Sequence, residues 1–157
     1  MFWLSLLTTT ALANDVLVPS LTSADATSRV GAEIVYSSLV EALSDRDISF
    51  LDADDLRRFI GHRADDCSKR PSCPQDLWAD LNGDIALKGT VTMVGEEINA
   101  SLKFYRRGVP EPIEFFQADF PEKKAGYFAV DAALIVEDLL KMSTEDLAAL
   151  GVGVAAT

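Results

Sequence analysis

The spacing of apolar positions changes period several times along this chain, and each change marks the boundary of an element. Val16-Leu17-Val18 is a short apolar run closed by Pro19 and Ser20, which predicts a buried strand. From Ala26 to Leu43 the residues Val30, Ile34, Val35, Leu39, Ala42 and Leu43 recur at three- and four-residue steps, placing them on one stripe of an amphipathic helix. Ser44-Asp45-Arg46-Asp47 breaks that period, and Ile48 to Leu51 reads as a second strand. Strand, helix and strand in this order predict a βαβ unit. Asp52 stands where a residue would cap a second helix, with Leu56, Phe59 and Ile60 inward, Asp55 near its positive end and Gly61 at its stop. Pro74 suits the first position of a short helix carrying Leu77, Trp78 and Leu81, which Asn82-Gly83 can terminate.

In the second half the period falls to two. Ile85, Leu87, Val91 and Met93 alternate with more polar residues, and after Gly95-Glu96 so do Ile98, Ala100, Leu102 and Phe104, the pattern of a hairpin. Gly108, Pro110 and Pro112 mark another turn. The strand from Ile113 to Phe120 follows, and its alternation slips between Phe115 and Phe116, predicting a bulge. A long helix from Pro121 to Met142 places Phe128, Ala132, Ile135, Leu139 and Met142 on one stripe. The expected fold is α/β (α+β): one domain with a mixed sheet of about five strands and flanking helices. The expected boundaries are a leader over residues 1–13, the folded domain over 14–142, and a short helix with a flexible tail over 143–157.

The leader changes the picture from fold to compartment. Phe2, Trp3, Leu4, Leu6 and Leu7 run into Ala11-Leu12-Ala13 and then Asn14-Asp15, a small-x-small pattern that predicts signal cleavage between Ala13 and Asn14. No Lys or Arg precedes the apolar run, so the competing reading is an amino-terminal segment that packs or frays. The run is too short to span a bilayer, which takes about 20 apolar residues. Cys67 and Cys73 enclose a short loop, and an even count in an exported chain predicts a disulfide. The alternative is a metal site recruiting His62, Asp65 and Asp66, although neither the CxxC nor the HxxxH spacing of common zinc sites is present.

The formal net charge of −11 makes nucleic acid and anionic lipid poor partners, because the basic residues are scattered in small groups such as Arg106-Arg107 and Lys123-Lys124. An enzyme would have to use Asp52, Asp54, Asp55, His62, Asp65 and Asp66 as metal-bound carboxylates, yet capping accounts for two of these acids and no calcium-loop glycine or terminal glutamate is present. The glycines form neither GxGxxG nor GxxxxGK[ST], and Ser37-Ser38 has no nucleophile elbow, so no cofactor and no catalytic set is expected. Two segments suggest partner contacts instead: Trp78 beside the cysteine loop, with core packing as its competing role, and the basic tip Tyr105-Arg106-Arg107.

The segment Leu77-Trp78-Ala79-Asp80-Leu81-Asn82-Gly83-Asp84-Ile85-Ala86-Leu87-Lys88-Gly89-Thr90-Val91 resembles the helix-to-strand passage of the amino-terminal domain of TolB. The strand from Ile98 to Tyr105, the Gly108 turn and the closing helix are also similar to that domain and to CsgG-like envelope proteins. The resemblance extends from Val16 to Met142. The sequence departs from those families in having no propeller after the domain, no lipoprotein cysteine and an added cysteine pair. It implies a periplasmic, non-enzymatic, protein-binding module, an adaptor or accessory factor of an envelope complex. A metal-dependent hydrolase using the Asp52–Asp66 acids and a detached sensory or targeting domain are the alternative readings.

Overall fold

The computed structural model describes residues 16–142 apart from Asp66, together with Asp146. The expected leader and its Ala13-Asn14 junction lie outside the described residues, as do the expected short helix and tail except for Asp146. The chain folds as β1 (Val16–Leu17), β2 (Thr22–Ser23), α1 (Ala26–Asp45), β3 (Phe50–Leu51), α2 (Ala53–Ile60), α3 (Gln75–Trp78), β4 (Ile85–Val94), β5 (Glu97–Arg106), β6 (Glu114–Pro121) and α4 (Ala125–Leu140). The sheet is mixed and six-stranded, in the order β3-β1-β4-β5-β6, with β2 pairing β4 beyond the end of β1. The pairs β1–β3, β1–β4 and β2–β4 are parallel, and β4, β5 and β6 form an antiparallel meander. The α/β class and the mixed sheet are as expected. The sixth strand is the two-residue β2.

β1 and β2 act as one strand broken at Pro19. Leu17 aligns with Ala86 and Thr22 with Thr90, so four residues of the first segment face three of β4. Gly89 sits at this mismatch, where a Cβ would stand 2.6 Å from Leu102 Cδ2 and 2.8 Å from Leu21 Cδ2. Only a residue without a side chain lets the broken strand close on β4.

Successive residues on a strand point to opposite faces. Val16, Val18, Ile85 and Leu87 join the large core under α1 and α4, whereas Leu17, Leu51 and Ala86 join a smaller cluster with Leu56, Cys67, Cys73 and Leu77. α1 begins at Asp25, whose Oδ1 accepts from the Ser28 amide at 2.7 Å. The seam of α1 is set by Gly31, where a Cβ would stand 3.1 Å from Met93 Cβ. Packing centred on Gly31, Val35 and Leu39 rotates Val30 outward to 52% exposure, correcting its expected place on the buried stripe.

Two further expectations are corrected. β6 carries no bulge: its register with β5 runs without slip from Glu97 opposite Pro121 to Phe104 opposite Glu114. The adjacent aromatics divide between the faces, with Phe116 packed against the core and Phe115 exposed. On α2 only Leu56 is fully buried, and Phe59 is 61% exposed because this two-turn helix covers the sheet with a single row.

Candidate functional site

The acidic and cysteine-bearing segment is organised by local bonding. Asp52 and Asp55 form a reciprocal capping box on α2: Asp52 Oδ1 accepts from the Asp55 amide at 2.8 Å, and Asp55 Oδ2 accepts from the Asp52 amide at 3.1 Å. At the far end of that helix Asp65 accepts from Arg57 Nε and Nη2 at 3.0 and 2.7 Å and lies 3.2 Å from His62 Nδ1. The hydrogen bonds from Arg57, then His62, hold the Asp65 carboxyl below its ordinary range. The acids thus divide between the two ends of α2. Asp54 is exposed, and Asp66 lies outside the described residues. Among the described residues no three His, Cys, Asp or Glu side chains gather as a metal-holding group.

Cys67 and Cys73 are bonded across a Cα–Cα distance of 5.4 Å, and both are buried. The loop they close is fastened to the sheet by Lys88, whose Nζ donates to the carbonyls of Arg70 and Cys73 at 2.9 and 3.1 Å. Burial, with Lys103 as a second contributor, pushes the Lys88 ammonium below its ordinary range.

The two segments expected to meet a partner have internal partners. Tyr105 is buried, and that burial raises its hydroxyl above the ordinary range. Arg106 Nη1 donates to the Leu139 carbonyl at 3.0 Å, satisfying the last turn of α4. Arg107 is exposed, with Nη1 3.4 Å from Asn82 Oδ1. Trp78 packs against the smaller cluster and donates from Nε1 to the Gly83 carbonyl at 2.9 Å.

Two of the concave features that the described residues form were not revealed by periodicity. The first lies past the carboxyl ends of β1 and β3. Tyr36, on α1, ties these ends together: its hydroxyl donates to the Val18 carbonyl at 2.6 Å and accepts from the Ala53 amide at 2.7 Å. Burial, first among several causes, raises this hydroxyl well above its ordinary range, so it stays neutral. Beside it opens a crevice of about 420 Å³ between the segment 20–23, the Arg29–Ser37 flank of α1, and Ala64, Cys67 and Lys69 of the cysteine-loop region. The only sequence trace of it is the cluster of hydroxyl residues after the first strand.

The second feature is at the opposite edge of the sheet. Among the described residues β6 is paired on one side only. Beneath it Phe116 and Phe120 stack on Phe128 of α4, with ring centroids 4.8 and 4.9 Å apart. A groove of about 390 Å³ runs along these rings to Tyr127. Tyr127, Val130 and Leu134 are 73%, 42% and 39% exposed and stand at positions i, i+3 and i+7 of α4, so an apolar stripe continues from the groove along the outer side of the helix. Among the described residues no helix is long and apolar enough to cross a membrane.

The architecture is that of a single α/β domain with a mixed sheet, helices α1 and α4 on one face and a disulfide-closed segment on the other. No protein-family model matches the chain, and no curated protein sequence matches it. Among solved structures it is similar to the lipoprotein GNA1162 from Neisseria meningitidis, at 19% identity and a TM-score of 0.49, over 84% of this chain and 99% of that one. It is also similar to PelC, solved as a dodecamer from Paraburkholderia phytofirmans, at 12% identity and a TM-score of 0.44, over 84% of this chain and 90% of that one.

Proposed function

We propose that this protein is an exported, non-catalytic module of a bacterial cell envelope that binds another protein, acting as an adaptor or accessory factor. The observation that carries the binding role is the exposed apolar stripe Tyr127, Val130 and Leu134 beside the one-sided strand β6. Contiguous apolar surface next to a strand at the edge of the described sheet suits an extended or helical segment of another protein. The export half is supported by the Ala11-Leu12-Ala13 pattern and by the bonded, buried Cys67–Cys73 pair. The resemblance to the amino-terminal domain of TolB and to CsgG-like proteins supports the same assignment. The non-catalytic half is supported by Asp52, Asp55 and Asp65, which serve helix capping and ion pairing at separate ends of α2.

Site-specific photo-crosslinking in the native envelope tests the reading, with the crosslinker at Tyr127, at Leu134 and, as a control, at the exposed Glu41 of α1. One envelope protein captured from the first two positions and not from Glu41, and lost in Leu134→Asp, is the expected result. Turnover of a substrate that disappears in Asp54→Asn, with no position-dependent crosslink, would make the chain a hydrolase instead. Retention of the protein inside the cell with both cysteines as thiols would remove the export half.

A further inference from the structure

The crevice beside Tyr36 is a consequence of topology. The chain leaves β1 for α1, on the face of the large core, and leaves β3 for α2, on the face of the small cluster. Where neighbouring parallel strands send their connections to opposite faces, a gap is left outside their carboxyl ends, and such gaps are the places where open α/β sheets bind ligands. Here the gap is kept from collapsing by two fixed walls. Tyr36 clamps the backbone after β1 to the start of α2, and the disulfide fixes Cys67 on the far side. The resulting volume, about 420 Å³, is that of a site for a small molecule.

The lining states what kind of molecule. Hydroxyls come from Thr22, Ser23 and Ser37, groups that can each donate or accept, and from Ser20, which is engaged in a contact of its own. The charged side chains of the lining are Arg29, Glu33 and Lys69, and Lys69 is engaged in a contact of its own. Arg29 has no ion-pair partner among the described residues, and its planar guanidinium suits a carboxylate or phosphate. The Tyr36 hydroxyl is fully used by backbone and serves only as the floor.

We propose that this crevice binds a small, hydroxyl-rich anion, of the class of a sugar acid or a sugar phosphate, with Arg29 meeting the negative group and the serine and threonine hydroxyls meeting the ring hydroxyls. The site is separate from the stripe on α4, so the chain carries a ligand pocket and a protein-docking face on different surfaces.

Titration of the full folded domain, disulfide intact, with glucuronate and with glucose 6-phosphate, followed by amide NMR, tests the proposal; glucose and inorganic phosphate serve as comparisons lacking the charge or the ring. At least one of the two charged sugars should give saturable shifts confined to residues 20–23, 29–37 and 64–69. Which of them binds identifies the anionic group. Glucose and inorganic phosphate should each bind at least about tenfold more weakly, and Arg29→Gln should weaken the charged sugar by about tenfold, the effect of one charge-assisted hydrogen bond. Ser37→Ala should weaken it by less, whereas Arg58→Gln, on the exposed side of α2, should leave it unchanged. All three variants are at exposed positions, so retention of the wild-type amide spectrum elsewhere separates lost binding from lost folding. No saturable shift with either charged sugar, equal affinity in Arg29→Gln and wild type, or inorganic phosphate binding as tightly as glucose 6-phosphate would each overturn the proposal. Crosslinking at Tyr127 should be unaffected by Arg29→Gln, so failure of the pocket and failure of the docking face are read independently.

Discussion

The two faces of the sheet are held by different means. Under α1 and α4 some two dozen buried apolar residues, most of them from both helices and four strands, make one continuous core, and aliphatic and aromatic burial suffices. On the other face seven buried residues make the whole cluster, two of them the bonded cysteines. That face is fastened by particular polar devices: the capping box at Asp52, the Lys88 bonds to the loop carbonyls, the Arg57–Asp65 pair and the disulfide. A segment with too little apolar area to order itself needs constraints that act through the unfolded state or through directed bonds. Both concave features lie where the large core ends, one at the boundary between the two faces and one at the uncovered edge strand.

The largest effect should come from the thick face. Phe104 is fully buried near the carboxyl end of β5, and Phe104→Ala should cost about 3–5 kcal/mol of global stability, measured by denaturant unfolding. A loss below about 1 kcal/mol would mean that this core is not the main source of stability.

The second effect should be local. Replacing both cysteines by serine should cost about 2–3 kcal/mol in the chain-entropy account of a short loop. Hydrogen exchange should accelerate over residues 53–78 and leave the amides of β4 and β5 in the large core protected. Uniform acceleration through the hairpin would show that the two faces unfold as one unit.

The same contrast decides what could be read before folding. The thick face was legible because long elements carry long periodic signals: the α1 helix, the 85–106 hairpin and the helix after Pro121 all follow apolar spacing, and the Asp52 cap and the Gly61 stop follow from local backbone chemistry. Periodicity gives the stripe and not its rotation. Val30 turned outward because the close approach of Gly31 to Met93 set the seam, a contact between residues distant in sequence. On the thin face Phe59 was misplaced because a two-turn helix has too few positions to define which side is covered. The bulge expected at Phe115-Phe116 came from two adjacent aromatics, which one regular strand accommodates by giving one to each face. Arg106 looked like a surface cation until α4 brought the Leu139 carbonyl to it. The crevice was hidden for the same reason, since its wall at Ala64, Cys67 and Lys69 is tens of residues from the others and meets them only through the topology.

The smallest effect concerns one polar fastener of the thin face and distinguishes a structural acid from a chemical one. Asp65 carries a carboxyl whose folded-state pKa is held below the ordinary 3.8 chiefly by the hydrogen bond from Arg57. A depressed carboxyl pKa means that the unfolded state takes up the proton first, so the contribution of the pair is fully present above 3.8 and is lost as pH falls through the folded-state value. Because the Arg57 side chain is 62% exposed, salt should screen the pair, and its effect should be small at any pH. Thermal unfolding of wild type and Asp65→Asn should therefore show a modest difference at pH 7 that shrinks in molar salt and closes as the solution is acidified below 3.8. A gap that widens on acidification would contradict the ion-pair account. Unchanged partner capture by Asp65→Asn would place this acid among the fasteners of the cysteine-loop face and outside the binding surface, whereas loss of capture without loss of stability would move the docking face from α4 to α2.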